Sequence, residues 1–130
     1  VAYSLGWAWH DVSARLGLWS NPDLADAFIR SLTLVQEVLF FSHVGMNIVT
    51  LGLVTMRRWW ALPAFILSFA LDRFEWVIMS GNDIFQILVD TDLWALFSFT
   101  LQGLIITVLM VMVFSGELQG SPWRDVKNER

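Results

Sequence analysis

The chain has 130 residues, 56% of them hydrophobic and 15% charged, with a formal net charge of −4. Soluble domains carry about 25% charged residues, so this apolar excess, with a mean hydropathy of +0.58, calls for lipid around it. An acidic balance with a pI near 4.9 withholds the basic surface that phosphate binding needs, which excludes nucleic acid as a partner. The absence of cysteine also removes disulfide scaffolds, thiolate-held metals and cysteine nucleophiles.

Val1 to Ser20 has neither the basic start nor the unbroken apolar run of a secretory signal, and no cleaved segment is expected. Insertion through the spans themselves suits a bacterial inner-membrane protein. Leu5, Trp9, Val12, Leu16 and Trp19 recur at helical spacing, with His10, Asp11 and Arg15 off that stripe. The pattern predicts an amphipathic helix over residues 1–20 that lies in the membrane interface. Asn21-Pro22-Asp23 reads as an N-cap, a first-turn proline and a first-turn acid, so a helix starts here and runs on into the membrane.

Three spans are expected within a transmembrane domain covering residues 21–116. The first runs over about 31–56, is uncharged from Val38 to Met56 and closes at Arg57-Arg58. The third, over about 93–116, has no charge between Asp92 and Glu117, enough to cross a hydrocarbon core of about 30 Å. The second must continue from Trp60 through Asp72, Arg73 and Glu75 to about Ser80 to reach spanning length. Pro63 sits in its first turn, and Gly81-Asn82-Asp83 supplies its stop. Trp7, Trp9, Trp19, Trp59 and Trp60 are expected interfacial anchors. Residues 117–130 alternate in sign and form a polar cytoplasmic tail. Arg57, Arg58, Arg124, Lys127 and Arg130 place their ends of the spans in the cytoplasm and the N-terminus outside, while the Gly81–Asp92 loop carries Asp83, Asp90 and Asp92 and no base.

Gln36, His43, Asn47 and Thr50 fall on one face of the first span, and Ser68, Asp72 and Glu75 on one face of the second. Folding the hairpin about Arg58 and Trp59 brings residue k level with residue 115 − k, which sets His43 against Asp72. Thr100, Gln102 and Ser98 of the third span arrive near the same level. The expectation is an intramembrane polar layer of Gln36, His43, Asn47, Asp72, Arg73, Glu75, Thr100 and Gln102, with His43 bonded to Asp72 so that no carboxylate stands unpaired in hydrocarbon. Gly45 and Gly52, seven residues apart, offer another helix a close approach.

No nucleophile motif, phosphate loop, metalloprotease helix or dinucleotide fingerprint occurs, so a self-contained enzyme is not expected. Three spans without an inverted repeat do not make a transporter. The residues point to an accessory or scaffolding subunit of a larger respiratory or photosynthetic membrane complex. It would dock to other subunits through the polar layer and through aromatic surfaces supplied by eight Trp and ten Phe. Three spans with the N-terminus out also resemble, in topology, the phage holins, which implies a homo-oligomeric pore. With His43 standing in Ser42-His43-Val44-Gly45, the chain also resembles, in size and span count, the membrane subunits of succinate dehydrogenase and small photosynthetic subunits. That resemblance implies haem or a chlorophyll-type pigment on His43, a good axial ligand type. The histidine–arginine and histidine–aspartate signatures of the dehydrogenase anchors are not reproduced. The sequence itself requires no cofactor and predicts no metal centre.

Overall fold

The computed structural model describes residues 1–88 and 91–120. Every regular element among them is helical: α1 (Ala2–Arg15), α2 (Pro22–Ser31), α3 (Leu34–Thr55), α4 (Ala61–Met79), α5 (Asp83–Leu88) and α6 (Thr91–Phe114). Asp90 and the basic residues Arg124, Lys127 and Arg130 lie outside the described residues.

The frame is an antiparallel hairpin of α3 and α4, with α6 packed on α4, α1 leaning on α2 and α3, and α2 touching α5. The first span starts at Leu34, not near residue 31. Leu32 takes an extended conformation, and Thr33 opens a new helix with a capping box in which Gln36 Oε1 accepts from the Thr33 N–H at 2.7 Å and Thr33 Oγ1 accepts from the Gln36 N–H at 3.3 Å. The helix expected to run unbroken from Asn21 is therefore two helices that meet at a corner. Asn21 does cap α2, accepting from the Leu24 N–H.

At the other end of α3 the chain turns through Arg57, whose φ of +53° is left-handed. The Arg58 N–H bonds the Leu53 carbonyl and the Arg57 N–H the Val54 carbonyl, which closes a Schellman turn with arginine where glycine is usual. Gly116 ends α6 with the same hand, at φ +81°. The Gly81–Asp92 stretch is only partly loop: Asn82 Oδ1 accepts from the Ile84 and Phe85 N–H groups and starts α5.

Among the described residues two helices, α3 and α6, are long and apolar enough to cross a membrane, not the three expected. What sets α4 apart from those two is its three charged residues, Asp72, Arg73 and Glu75. Yet α4 turns those groups inward, with Asp72 and Glu75 buried, and carries Phe74 at 68% and Val77 at 75% exposure on its outer face. The same inversion holds along α3 and α6. Gln36, His43, Asn47, Thr50, Ser68 and Ser98 are buried, while Ile48, Val49, Leu96, Leu104 and Val111 face outward. A soluble bundle distributes its side chains the other way.

The interior is stratified. Near the α3–α4 turn lies an apolar cluster of Ala61, Phe65, Leu109, Val113 and Leu118; at the opposite end Met79 and Phe85 pack with Trp7, Phe28, Leu32 and Trp76. The polar residues lie between the two. The start of the expected polar tail belongs to the first cluster: Leu118 is fully buried, and Gln119 exchanges backbone hydrogen bonds with Arg57 and Trp59. A leucine two residues past the glycine that ends α6 has apolar surface within reach, and burying it outweighs solvating the short segment that carries it. Residues 121–130 of that tail lie outside the described residues.

The expected interfacial helix is corrected in two respects. α1 stops at Arg15, and it presents Ser4, Asp11, Ser13 and Ala14 to the bundle while Leu5, Trp9 and Leu16 face out. Asn47 Nδ2 donates to Ser4 Oγ at 2.8 Å near the middle of α3, and Arg15 reaches Glu37 near its start. Thus α1 runs alongside α3 in the opposite sense, with its polar face on the bundle. Gly45 and Gly52 meet nothing where a Cβ would stand, so no helix among the described residues uses the approach they offer.

This division of core and surface is testable in the full chain in detergent. Leu118→Ala is expected to lose about 2–4 kcal/mol of unfolding free energy, and Leu96→Ala, at a position 66% exposed, to stay within about 0.5 kcal/mol. Equal losses would contradict the assignment.

Candidate functional site

The polar layer is built where α3, α4 and α6 bring one face each to the same level. The expected register holds at Ser68, whose hydroxyl stands 3.0 Å from both the Asn47 amide oxygen and the His43 carbonyl. It slips at His43. Nδ1 meets Glu75 Oε2 at 3.0 Å, whereas Nε2 lies 3.8 Å from Asp72 Oδ1, beyond hydrogen-bond reach. His43 is therefore bonded to Glu75 and not, as expected, to Asp72. The two acids are three residues apart on one helical face, so an imidazole between them has both within range, and Asp72 has other partners.

Those partners come from its own helix and from α6. The Arg73 guanidinium bonds Asp72 Oδ2 through Nε at 3.1 Å and also through an η nitrogen. Gln102 Nε2 donates to the same oxygen at 2.8 Å, and Arg73 also donates to Ser98 Oγ at 2.8 Å. Phe69 and Trp76 flank the guanidinium, with ring centroids 5.7 and 5.8 Å away, close enough for cation–π attraction. Gln102 Oε1 is buried with no hydrogen-bond partner among the described residues.

Two of the expected members of the layer stand elsewhere. Thr100 points outward and bonds the Leu96 carbonyl of its own helix. It lies two residues from both Ser98 and Gln102, about 200° round the helix from each, and cannot share their face. Gln36 is buried, but its side chain caps α3. Asn47, Asp72, Arg73, Glu75 and Gln102 fall together with His43 as expected, joined by Ser68 and Ser98.

Above this layer, toward the end of the bundle where α4 stops, a chamber of about 840 Å³ opens between α1, α2, α3 and α4. Its floor includes His43, Asp72 and Glu75, and its walls are largely aromatic, with Trp7, Phe28, Phe40, Trp76, Phe85 and Trp94 arriving from six different helices. Cavities of a few hundred to about 1,000 Å³ with apolar walls and a few convergent polar groups are the usual form of small-molecule sites. The tryptophans expected as interfacial anchors divide accordingly. Trp7 and Trp19 belong to the wall, Trp7 edge-on to Trp94 at 6.3 Å and Trp19 stacked on Phe28 at 5.8 Å. Trp9 touches the rim and is 62% exposed, Trp60 is also exposed, and Trp59 packs on the apolar cluster at the α3–α4 turn.

Among the described residues four carboxylates line the chamber, Asp11, Glu37, Asp72 and Glu75, and no Lys or Arg does. Arg15 stands behind two of them, bonding Asp11 at 3.0 Å and Glu37 at 2.8 Å. The Asp11 hydrogen bond first, then that of Glu37, holds the Arg15 pKa above its ordinary value, so this guanidinium stays charged. His43, Asp72 and Glu75 also present ligand atoms within 4.8 Å of one another, the donor types that divalent metals take. The chamber and the part of α1 that closes it were missed from sequence. The signal was present: Ser4 and Asp11 are seven apart and so share a face of α1, but Asp11 was read only as lying off the apolar stripe.

Compared with known proteins, the chain matches no family model, no curated sequence and no solved structure at a significant level.

The histidine contact is expected to carry the larger coupling. In double-mutant cycles of unfolding in detergent, His43→Leu with Glu75→Gln should couple by about 1–3 kcal/mol and His43→Leu with Asp72→Asn by less. Thr100→Val should change stability by no more than about 0.5 kcal/mol. A dominant His43–Asp72 coupling would restore the pairing anticipated from the sequence.

Proposed function

We propose that this chain is a three-span integral membrane protein, with α3, α4 and α6 as the spans, and that it serves as a non-catalytic binding subunit of a larger membrane complex, holding a small apolar molecule in the chamber. The observation that carries this is the chamber itself: aromatic walls closing on a buried, hydrogen-bonded polar floor, in a bundle whose outer surface is apolar. Membrane insertion is supported by the inverted distribution of side chains, since an outward face of Phe74, Val77, Ile48 and Leu104 suits hydrocarbon and would be costly in water. Counting α4 as a span is supported by the burial of its charges between helices, the form in which ionisable groups are tolerated at depth. The Arg57–Arg58 turn then lies on the cytoplasmic side.

The reasoning for docking shifts with the structure. Asp72 and Arg73 pair with each other, and Glu75 turns inward to His43 and the chamber, so these groups do not call for charges on a neighbouring subunit. Support for neighbouring subunits comes instead from the outer face of α3, where Gly45 and Gly52 are open beside exposed Ile48, Val49 and Leu51. A holin-like pore has less behind it, because the polar stripe that would line such a pore is buried inside one copy. A haem or chlorophyll-type pigment retains one supporting observation: Glu75 holds Nδ1 of His43, as the partner groups of ligating histidines do. Its iron or magnesium would have to take Nε2 away from the neighbourhood of Asp72.

Purification of the native chain in mild detergent, with mass spectrometry of companions and of extracted small molecules and a full absorbance spectrum, tests this reading. Stoichiometric membrane-protein partners and a retained apolar molecule are expected, the molecule being lost from Gly6→Phe, which places a ring at the chamber wall. Bands that vanish in His43→Leu would identify that molecule as a ligated pigment. A colourless homo-oligomer with an empty chamber would contradict the proposal.

A further inference from the structure

We propose that the occupant of the chamber is a lipophilic organic cation, its charged head at the Glu75 carboxylate and its apolar body against Trp7, Phe28 and Trp76; this rests on the chamber being a binding site. Charge balance within the chamber is the first argument. Of its four carboxylates, Asp11 and Glu37 share the single guanidinium of Arg15, and Asp72 has Arg73. Among the described residues Glu75 meets only His43, whose charge depends on a proton. Among the described residues two guanidiniums thus stand beside four carboxylates, and His10 and His43 are the lining residues that can add positive charge. An uncompensated carboxylate in apolar surroundings is costly, so the site gains by taking a cation and gains nothing from an anion.

The second argument is the wall. The π faces of Trp and Phe attract cations, most strongly where water is excluded, and the aromatic rings here surround the same space that the acids enter. Glu75 meets His43 through Oε2, so Oε1 can turn to a ligand while the imidazole keeps its bond. The third argument is size. A volume of about 840 Å³ far exceeds a bare metal ion and suits a molecule of drug-like dimensions. A metal at His43, Asp72 and Glu75 would also have to compete with the His43–Glu75 hydrogen bond and with Arg73 on Asp72.

The test uses the full chain in lipid nanodiscs with three probes of matched shape: tetraphenylphosphonium, tetraphenylborate and neutral triphenylphosphine oxide. Binding is read by equilibrium dialysis against empty nanodiscs and by quenching of tryptophan fluorescence. Saturable one-site binding of the phosphonium is expected, at least about tenfold tighter than either of the others. Glu75→Gln, which keeps a hydrogen-bonding group beside His43, should weaken the phosphonium about tenfold and leave the neutral probe unchanged. Trp76→Leu, which leaves the acids intact, should weaken both and serves if Glu75→Gln does not fold. Equal binding of all three probes would overturn the cation proposal and leave the chamber as a neutral site, whereas binding of none would overturn both. Stoichiometric binding of Zn²⁺ or Mn²⁺, lost in His43→Leu and excluding the phosphonium, would overturn the proposal in favour of a metal centre.

Discussion

Glu75 and Nδ1 of His43 meet at 3.0 Å inside a bundle whose outer surface is apolar, and satisfying that carboxylate and its neighbour Asp72 constrains the positions of the surrounding helices. An ionised group in such surroundings needs hydrogen bonds on several sides. The α3 helix must present His43 and Asn47 toward α4. In turn α6 must present Ser98 and Gln102, and α1 must close the remaining side with Ser4. Each helix therefore turns its polar face inward, and the apolar exterior follows from that.

The same constraint produces the chamber. Helices held together by a polar layer at mid-height, with an apolar cluster beyond it at the α3–α4 turn, need not close at the other end. There α2 and α5 fold over large rings instead of interdigitating small side chains, and bulky rings from six helices enclose a space between them. Rings with a polar floor make a site in which shape and charge are read separately, the walls taking apolar surface and the acids taking positive charge.

Much of this was legible in the sequence because periodicity reports faces directly. The stripe of His43, Asn47 and Thr50 and that of Ser68, Asp72 and Glu75 are buried as their spacing implied, and the hairpin register is right at Ser68 and Asn47. What spacing could not settle is which of two acids one turn apart an imidazole meets, since that depends on competition from Arg73 and Gln102 on other elements. Thr100 was placed by depth alone, without asking which way its face pointed. The largest miss, α1, has a specific cause: an amphipathic helix was oriented as if water lay on its polar side, but here the polar side faces other protein groups. By composition alone α4 stands apart from α3 and α6 because it carries Asp72, Arg73 and Glu75, of which the fold buries the two acids.

The embedding of α4 therefore carries the account, and the cysteine-free sequence allows it to be measured directly. Spin labels at Phe74→Cys and Val77→Cys, positions that flank the buried acids and are themselves 68% and 75% exposed, would be examined in native-like bilayers for collision with oxygen and with a water-soluble nickel chelate. High oxygen and low nickel accessibility at both sites is the expected result, placing this face of α4 in hydrocarbon. Strong nickel collisions at both would mean that α4 lies in water and that the chain does not cross the membrane three times.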